Sequence, residues 1–458
     1  MNKIISVNPA SKGIVVGKIN FSSSKEVQEK VELANNAKKY WKEIGLKKRI
    51  LLLNPLCRII KSREKELAEL ISSEMGKPIK ESSSEVNGTI GNIEWFLKNV
   101  EKGLEEEVTY EDGKSIHTII YEPYGTVAVI TPWNFPLATP SLGIIPNLLV
   151  GNTVVFKPSE VSSCVGKIIE EIFSELELPK GVFSVVYGDG SVGKQLVSNK
   201  IDFIWFTGSS AVGKAIYRIA AKKFIRVELE LGGSNPGIVF EGVNLEDIVP
   251  IIYEGRFGNN GQDCNAIKRL IVHESIFDKL ISSLSSYVLT KKVGNPLEKN
   301  TELGSLASEK QLDLLKGQLD DALKNGAKVI VGGRHPKDLD GAFFEPTILV
   351  GIEKHMKVWK EEVFGPILPV IKFSNEEEAI KLANDSIYGL GARIFTPDNE
   401  KAQRVAEQLD VGSVEINKIS RWLLSNPFGG YKQSGIGREL GLVGFKELSQ
   451  LKVISKNK

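Results

Sequence analysis

The stretch Thr126-Val-Ala-Val-Ile-Thr131-Pro-Trp-Asn-Phe-Pro136 decides the fold. Its β-branched run shows no polar alternation, so it reads as a strand buried on both faces that ends at a turn of prolines and aromatics. Similar runs return at Thr153–Lys157, Val182–Tyr187 and Phe203–Thr207, with helical spacing between them at Val165–Leu176 and Val212–Lys222. This βαβ rhythm predicts a parallel sheet covered by helices. It restarts after Gly233, with strand candidates at Gly237–Phe240, Ile267–Val272, Val329–Val331, Leu368–Lys372 and Ala392–Phe395. Two successive α/β units follow.

Upstream, Ser24–Pro78 reads as helices, with apolar residues such as Val27, Val31 and Ala34, then Ala68, Ile71 and Met75, at three- and four-residue spacing. Gly76-Lys77-Pro78 is the stop signal. Between Thr109 and Tyr121 a Tyr/Thr/Ile-rich alternation is broken by Asp112-Gly113, which predicts a β-hairpin.

The chain has 458 residues, a length of roughly three domain-sized units. With 59 Lys plus Arg against 57 Asp plus Glu, its net charge of +2 gives no reason to expect nucleic acid or an anionic membrane as partner. No apolar run is long enough to span a bilayer, and the polar N-terminal segment lacks the apolar centre of a signal peptide. Three cysteines make no disulfide framework, and four scattered histidines offer no metal-ligand spacing. The expectation is a cytoplasmic enzyme without a metal.

Gly188-Asp-Gly190-Ser-Val-Gly193 matches a dinucleotide fingerprint after a strand and before a helix. It reads either as a phosphate cradle or as a tight connection beside one. Gly208-Ser-Ser-Ala-Val-Gly213-Lys214-Ala215 nearly makes a nucleotide-binding P-loop, as does the Gly188 loop with Lys194-Gln195. Both lack the hydroxyl that would hold Mg²⁺, which leaves an NTPase a remote alternative.

Cys264 follows Phe257-Gly-Asn-Asn-Gly261-Gln262-Asp263, a polar segment read as flexible, and is placed where a loop meets a helix N-terminus. Backbone dipoles and nearby cations there would favour the thiolate. Cys57 and Cys164 sit among apolar helical residues, where burial keeps a thiol neutral. No histidine is paired with Cys264, so a papain-like protease is unattractive. Asn134, between aromatics and prolines at a strand end, could donate to an oxyanion or simply cap the turn. Glu230, before Gly232-Gly233, could act as a base or be a salt-bridged surface group.

Together these islands resemble the aldehyde dehydrogenase superfamily over essentially the whole chain. The matching motifs are TPWNFP (131–136), FKPSE (156–160), FTGSSAVG (206–213), ELGGSNP (230–236), FGNNGQDC (257–264), EEVFGP (361–366) and PFGGYKQSGIGRELG (427–441). The short N-terminus and the ELGGSNP segment are similar to the bacterial and archaeal branch that includes succinate-semialdehyde dehydrogenases. The resemblance implies an α/β fold of two doubly wound parallel-sheet domains with a protruding β-hairpin oligomerisation element. A dinucleotide-binding domain would span 1–105 and 123–232, a catalytic domain 233–446, and the oligomerisation element 106–122 and 447–458. A homodimer or homotetramer is implied, with the alternation in Tyr110–Tyr121 compatible with a strand pair completed by another chain.

Residue by residue, the resemblance makes Cys264 the nucleophile, Asn134 the oxyanion-hole amide and Glu230 the general base. Lys157 and Glu160, with Ser159, match the adenosine ribose site. Ser209 and Val212 lie near the pyrophosphate and adenine, which favours the Gly208 turn over Gly188 as the main cofactor loop. Thr131, Pro132, Trp133, Phe206, Thr207, Leu231 and Gly232 border the same cofactor, while Glu362 and Phe364 match residues at the nicotinamide ribose and ring. Glu160 favours NAD⁺ by accepting from both ribose hydroxyls, and NADP⁺ stays open because that glutamate can rotate away.

The implied reaction oxidises an aldehyde to its acid through a thiohemiacetal and a thioester. Glu230 favours release by water, since coenzyme A-acylating relatives lack a base there. The substrate expected is a small aldehyde such as succinate semialdehyde; glyceraldehyde or its 3-phosphate is the alternative, and a crystallin-like non-catalytic role a remote one. Phe135, Phe257, Asp263, Arg421 and Phe428 are the candidate substrate contacts. Relatives handling anionic aldehydes often carry an arginine shortly after NFP, where Leu142 stands here. Asp263 would oppose an anionic tail, leaving Arg421 as the remaining anchor.

Overall fold

The computed structural model describes residues 3–418 and 423–458. A hairpin, β1 (Lys3–Val7) and β2 (Val15–Asn20), leads into five helices: α1 (Ser24–Glu43), α2 (Leu46–Leu53), α3 (Leu56–Ser62), α4 (Glu64–Met75) and α5 (Ile79–Gly103). Ser23 starts α1 by accepting from the Glu26 N–H, and Val27, Val31, Ala34 and Trp41 form its buried stripe. Gly76 ends α4 in the left-handed conformation at φ 83°, and Pro78 precedes α5.

A second hairpin, β3 (Glu107–Glu111) and β4 (Ser115–Pro123), turns where Asp112 accepts from the N–H groups of Lys114 and Ser115. The first α/β unit follows: β5 (Thr126–Ile130), α6 (Ala138–Val150), β6 (Thr153–Lys157), α7 (Ser163–Ser174), β7 (Phe183–Val185), α8 (Gly190–Ser198), β8 (Phe203–Thr207), α9 (Ser210–Lys223) and β9 (Arg226–Glu230). The parallel order is β9-β8-β5-β6-β7. Ile130 lies opposite both Lys157 and Phe206, and Thr207 opposite Glu230. That register lines up the carboxyl ends of four strands. Glu230, Thr207, Thr131 and Lys157 therefore stand along one sheet edge, where ligands of open α/β sheets bind.

The second unit contains β10 (Asn235–Val239), α10 (Leu245–Phe257), β11 (Ile267–His273), β12 (Lys328–Val331), β13 (Thr347–Val350), β14 (Ile367–Phe373), β15 (Tyr388–Gly389), β16 (Gly391–Phe395) and β17 (Ser413–Ile416). Its seven-stranded sheet runs β12-β13-β14-β11-β10-β16-β17, with β12 antiparallel. The chain then crosses back: β18 (Tyr431–Lys432) pairs with β15, and β19 (Gly435–Ile436) joins the first sheet with Gly435 opposite Glu230.

The last strand, β20 (Ser449–Asn457), pairs along β4 from Pro123 to Ser115. This changes the expectation of a strand pair completed by another chain, because the free side of β4 is filled by the same chain. In the resulting sheet β20-β4-β3, Val108, Tyr110, Leu451 and Val453 expose apolar side chains. Among the described residues, no helix is long and apolar enough to cross a membrane.

Candidate active site

Cys264 lies in the loop from α10 to β11. Asn259, Asn260 and Gly261 take successive left-handed conformations, at φ 54°, 56° and 71°. Asparagine tolerates this backbone, and a Cβ at position 261 would stand 2.5 Å from the Gly365 carbonyl oxygen. The segment is buried and hydrogen-bonded to other parts of the chain, where the sequence reading expects a flexible loop. Asn259, Asn260 and Gln262 are buried. The Asn260 amide donates to the carbonyls of Gly76 and Ser305 at 3.0 and 2.8 Å, and the Gln262 side-chain oxygen accepts from Ala307 N at 3.0 Å.

The expected helix after Cys264 is also absent, since the chain enters β11 three residues later. No helix dipole supports a thiolate. Burial, together with the charges of Asp263 and Glu362, pushes the thiol well above its usual range, and Lys268 opposes this. Burial raises Cys57 to about 11 and Cys164 to about 12, in line with their places on α3 and α7.

Asn134 reaches Cys264's loop from the turn after β5. Its Nδ2 donates to the Gln262 carbonyl at 3.1 Å, while its own carbonyl accepts from Lys77 Nζ at 2.8 Å and Asn259 Nδ2 at 3.1 Å. Trp133 meets Phe364 edge to face at 5.5 Å. Glu362 accepts from Gly233 N at 3.1 Å and lies 3.6 Å from Lys268 Nζ, which stands 4.5 Å above the Phe364 ring. The two sheets thus meet through these turns.

Glu230 ends β9 with only 3% of its surface exposed. It is not a salt-bridged surface group. Burial and the neighbouring Glu439 and Glu228 push its carboxyl well above the usual range, with Arg438 opposing. Burial likewise raises Glu439 to about 8, and burial together with Glu439 and Glu447 pushes Glu228 well above the usual carboxylate range. A buried carboxyl with raised proton affinity suits proton transfer near neutral pH.

Along the sheet edge, Lys157 is buried and donates to the Pro158 carbonyl at 2.9 Å, with the exposed Glu160 carboxylate 3.7 Å away. Ser159 accepts from Val161 N, and Ser209 starts α9 by accepting from Val212 N. Gly208 N donates to the Glu230 carbonyl at 3.0 Å, while Phe206 and Leu231 pack into the core. The two glycine loops differ in charge. Asp189, beside Gly188, already caps α8 by accepting from Ser191 N, whereas the cap of α9 is the neutral Ser209. An incoming phosphate meets repulsion at the first and none at the second. The hydroxyls of Thr131 and Thr207 are buried with no partner among the described residues. With Glu160 and the α9 terminus, they form a donor and acceptor row that fits a dinucleotide.

The model of the aldehyde dehydrogenase family matches residues 1–454. The chain belongs to this family. An aminoaldehyde dehydrogenase from Pisum sativum is 37% identical over 99% of this chain and 92% of its own length. A betaine aldehyde dehydrogenase from Bacillus subtilis is 38% identical over 91% and 86%, and a glutarate-semialdehyde dehydrogenase from Pseudomonas aeruginosa 35% identical over 98% and 93%. Among solved structures, a Staphylococcus aureus betaine aldehyde dehydrogenase in complex with NAD⁺ superposes with TM-score 0.95 at 35% identity, covering 99% of this chain and 91% of that one. An NADP-dependent enzyme of E. coli gives TM-score 0.96 at 33% identity, covering 100% and 95%. This chain is therefore an NAD(P)-dependent aldehyde dehydrogenase with the family's α/β fold.

Within this aldehyde dehydrogenase, the substrate candidates separate. Phe257 is 1% exposed and packs on Tyr253 in the core below the second sheet, which corrects its expected place at the substrate. Phe428 is mostly buried, its backbone paired with that of Glu439. Phe135 is half-buried beneath Lys77, and Asp263 accepts from Asn265 N at 2.8 Å. Arg421 lies outside the described residues. Sequence reading missed Lys77, Glu85 and Glu228, while Lys268 is one of the cations expected near the thiol. Lys77 was visible only as part of a helix stop, and the period of two that puts Glu228 on the side of Glu230 was a usable signal.

Proposed function

We propose that this enzyme oxidises a small aldehyde with a neutral or cationic tail, using Cys264 as nucleophile, Asn134 as oxyanion donor and Glu230 as base. The observation that carries this reading is the Gln262 loop, which Asn134 clasps two residues before the thiol, while the buried Glu230 carboxyl lies near enough for its charge to act on that thiol. The Cys264 thiol gives up its proton to solvent as its sulfur bonds to the carbonyl carbon, and the π electrons move to oxygen. The Asn134 amide, whose second N–H is free of Gln262, and the Cys264 N–H stabilise that charge; one such donor is typically worth about 3–4 kcal/mol. Loss of hydride from the same carbon leaves a thioester. NAD(P)⁺ supplies the hydride acceptor when bound, held by Lys157, Ser159, Glu160, the Gly208–Val212 turn, Glu362 and Phe364. Glu230 then takes a proton from water as its oxygen attacks the thioester, and the carboxylic acid leaves as the C–S bond breaks.

The exposed Glu160 carboxylate supports NAD⁺ over NADP⁺. Asp263 beside the nucleophile supports a neutral or cationic tail, as do relatives named for aminoaldehydes and betaine aldehyde. Succinate semialdehyde is the second reading, favoured by the glutarate-semialdehyde relative and requiring Arg421 as anchor. Division at about residue 233 into cofactor and catalytic domains, assembly through β3, β4 and β20, and a cytoplasmic location complete the reading.

Reduced-nicotinamide formation over a panel of amino, aliphatic, glyceraldehyde and semialdehyde substrates tests it, with NAD⁺ and NADP⁺ and with Cys264→Ala as control. Turnover that favours cationic or neutral aldehydes and vanishes in Cys264→Ala is expected. Preference for semialdehydes would move the substrate to the second reading, and undiminished turnover by the variant would remove Cys264 from the mechanism.

A further inference from the structure

Lys77 is a lysine with 1% of its side chain exposed, at the end of a helix that sequence reading treats as a stop. Burying an ammonium is costly unless every donor is engaged. Here one bond goes to Glu85 Oε2 at 2.7 Å and one to the Asn134 carbonyl at 2.8 Å, with the Phe135 ring 4.1 Å below. Glu85, 2% exposed, uses its other oxygen to accept from Leu137 N and Ala138 N at 2.9 and 3.0 Å. The ion pair therefore holds the backbone that follows the Asn134 side chain, from its own carbonyl to the start of α6. Glu81, one turn earlier on α5, holds Asn259 N at 2.9 Å, and Asn259 grips the same Asn134 carbonyl.

We propose that Lys77, held by Glu85, is the positioning residue of the oxyanion hole: it sets where the Asn134 amide points without touching the substrate. The inference rests on Asn134 being that oxyanion donor. A displacement of about 1 Å at such a donor is enough to cost about 100-fold in rate.

The test compares Lys77→Met, the doubly apolar Lys77→Met/Glu85→Leu and Asn134→Ala in the full-length enzyme. Three readouts are used: kcat and KM for aldehyde oxidation with NAD⁺, hydrolysis of p-nitrophenyl acetate, and alkylation of Cys264 by iodoacetamide. Alkylation needs the thiol but no oxyanion donor. Lys77→Met is expected to lower kcat and ester hydrolysis together by about 10- to 100-fold, with KM and alkylation within about threefold of wild type. The double variant, which leaves no buried charge unpaired, keeps the fold and shows the same loss. Wild-type kcat in the folded double variant, or alkylation falling in parallel with ester hydrolysis, would overturn the proposal in favour of a purely structural pair. Asn134→Ala separates the two readings: if it hydrolyses the ester at the wild-type rate, the oxyanion assignment itself falls.

Discussion

Lys77 and Glu85 meet at 2.7 Å with almost no exposed surface, while Glu228, Glu230 and Glu439 are as deeply buried and share one sign of charge. The first group touches the turn that carries Asn134, and the second includes Glu230, whose charge is felt at Cys264. In the first, each charge is matched by a partner and the remaining donors and acceptors reach backbone, so the pair holds atoms still. In the second, burial, and for Glu228 and Glu230 also the neighbouring carboxyls, raises proton affinity, so the group holds reactivity. Compensation builds geometry, and its absence builds proton affinity.

The largest effect is expected on the uncompensated side. Glu230→Gln should lower steady-state oxidation by about 10²- to 10⁴-fold, the usual worth of a general base. A stopped-flow trace should keep its initial burst of reduced nicotinamide, because the thioester still forms and only its hydrolysis stalls. Turnover at the wild-type rate would take Glu230 out of that step.

On the compensated side, Lys77→Met should destabilise the fold by about 3–5 kcal/mol, since Glu85 is left as a lone buried charge. Urea unfolding followed by circular dichroism measures this. Lys77→Met/Glu85→Leu should recover most of the loss, so stability and rate come apart in one pair of proteins.

A smaller effect separates the groups by pH. Glu439 keeps its proton to about 8 in the folded enzyme but releases it near 4.5 when unfolded. The folded state therefore binds more protons between those values, and stability falls as pH rises through that window. In thermal scans from pH 5 to 8, Glu439→Gln should flatten the decline seen for the wild type. An unchanged slope would assign the decline to other groups.

The smallest effect concerns the thiol. Asp263→Asn removes a like charge that opposes ionisation of Cys264, so the pH profile of iodoacetamide alkylation should move to lower pH. Lys268→Met, which removes the opposing cation, should move it up. A shift of Asp263→Asn in the other direction would place its charge outside the thiol's field.

Much of this was legible in one dimension. Thr153–Lys157 and Phe203–Thr207 are strands over the ranges their β-branched runs suggest, and the Asp112-Gly113 turn joins a hairpin. Asn134 reaches the residue two before Cys264 from a distant motif, and the charge of Glu230, from a third, is felt at the thiol. The failures have a common physical origin. Asn259 and Asn260 read as flexible because polar residues in a row suggest solvent, yet their amides are spent on buried carbonyls of other segments. Cys264 lacks its helix because the next residues are claimed by a neighbouring strand, and Phe257 fills a core rather than a cleft.

The amino-acid sequence by itself determined the alternation of strands and helices, the turns and the family, since periodicity and motif spacing are local properties of the chain. It also carried Glu228 and Glu230 to the same side of a strand by the period of two. Only the tertiary structure decided which buried charges found partners. Lys77 meets Asn134 across 57 residues and Glu85 across eight, whereas the glutamates at the end of β9 meet Glu439. The field at a buried group is set by whichever atoms the fold brings within a few ångströms, and sequence distance carries little of that information.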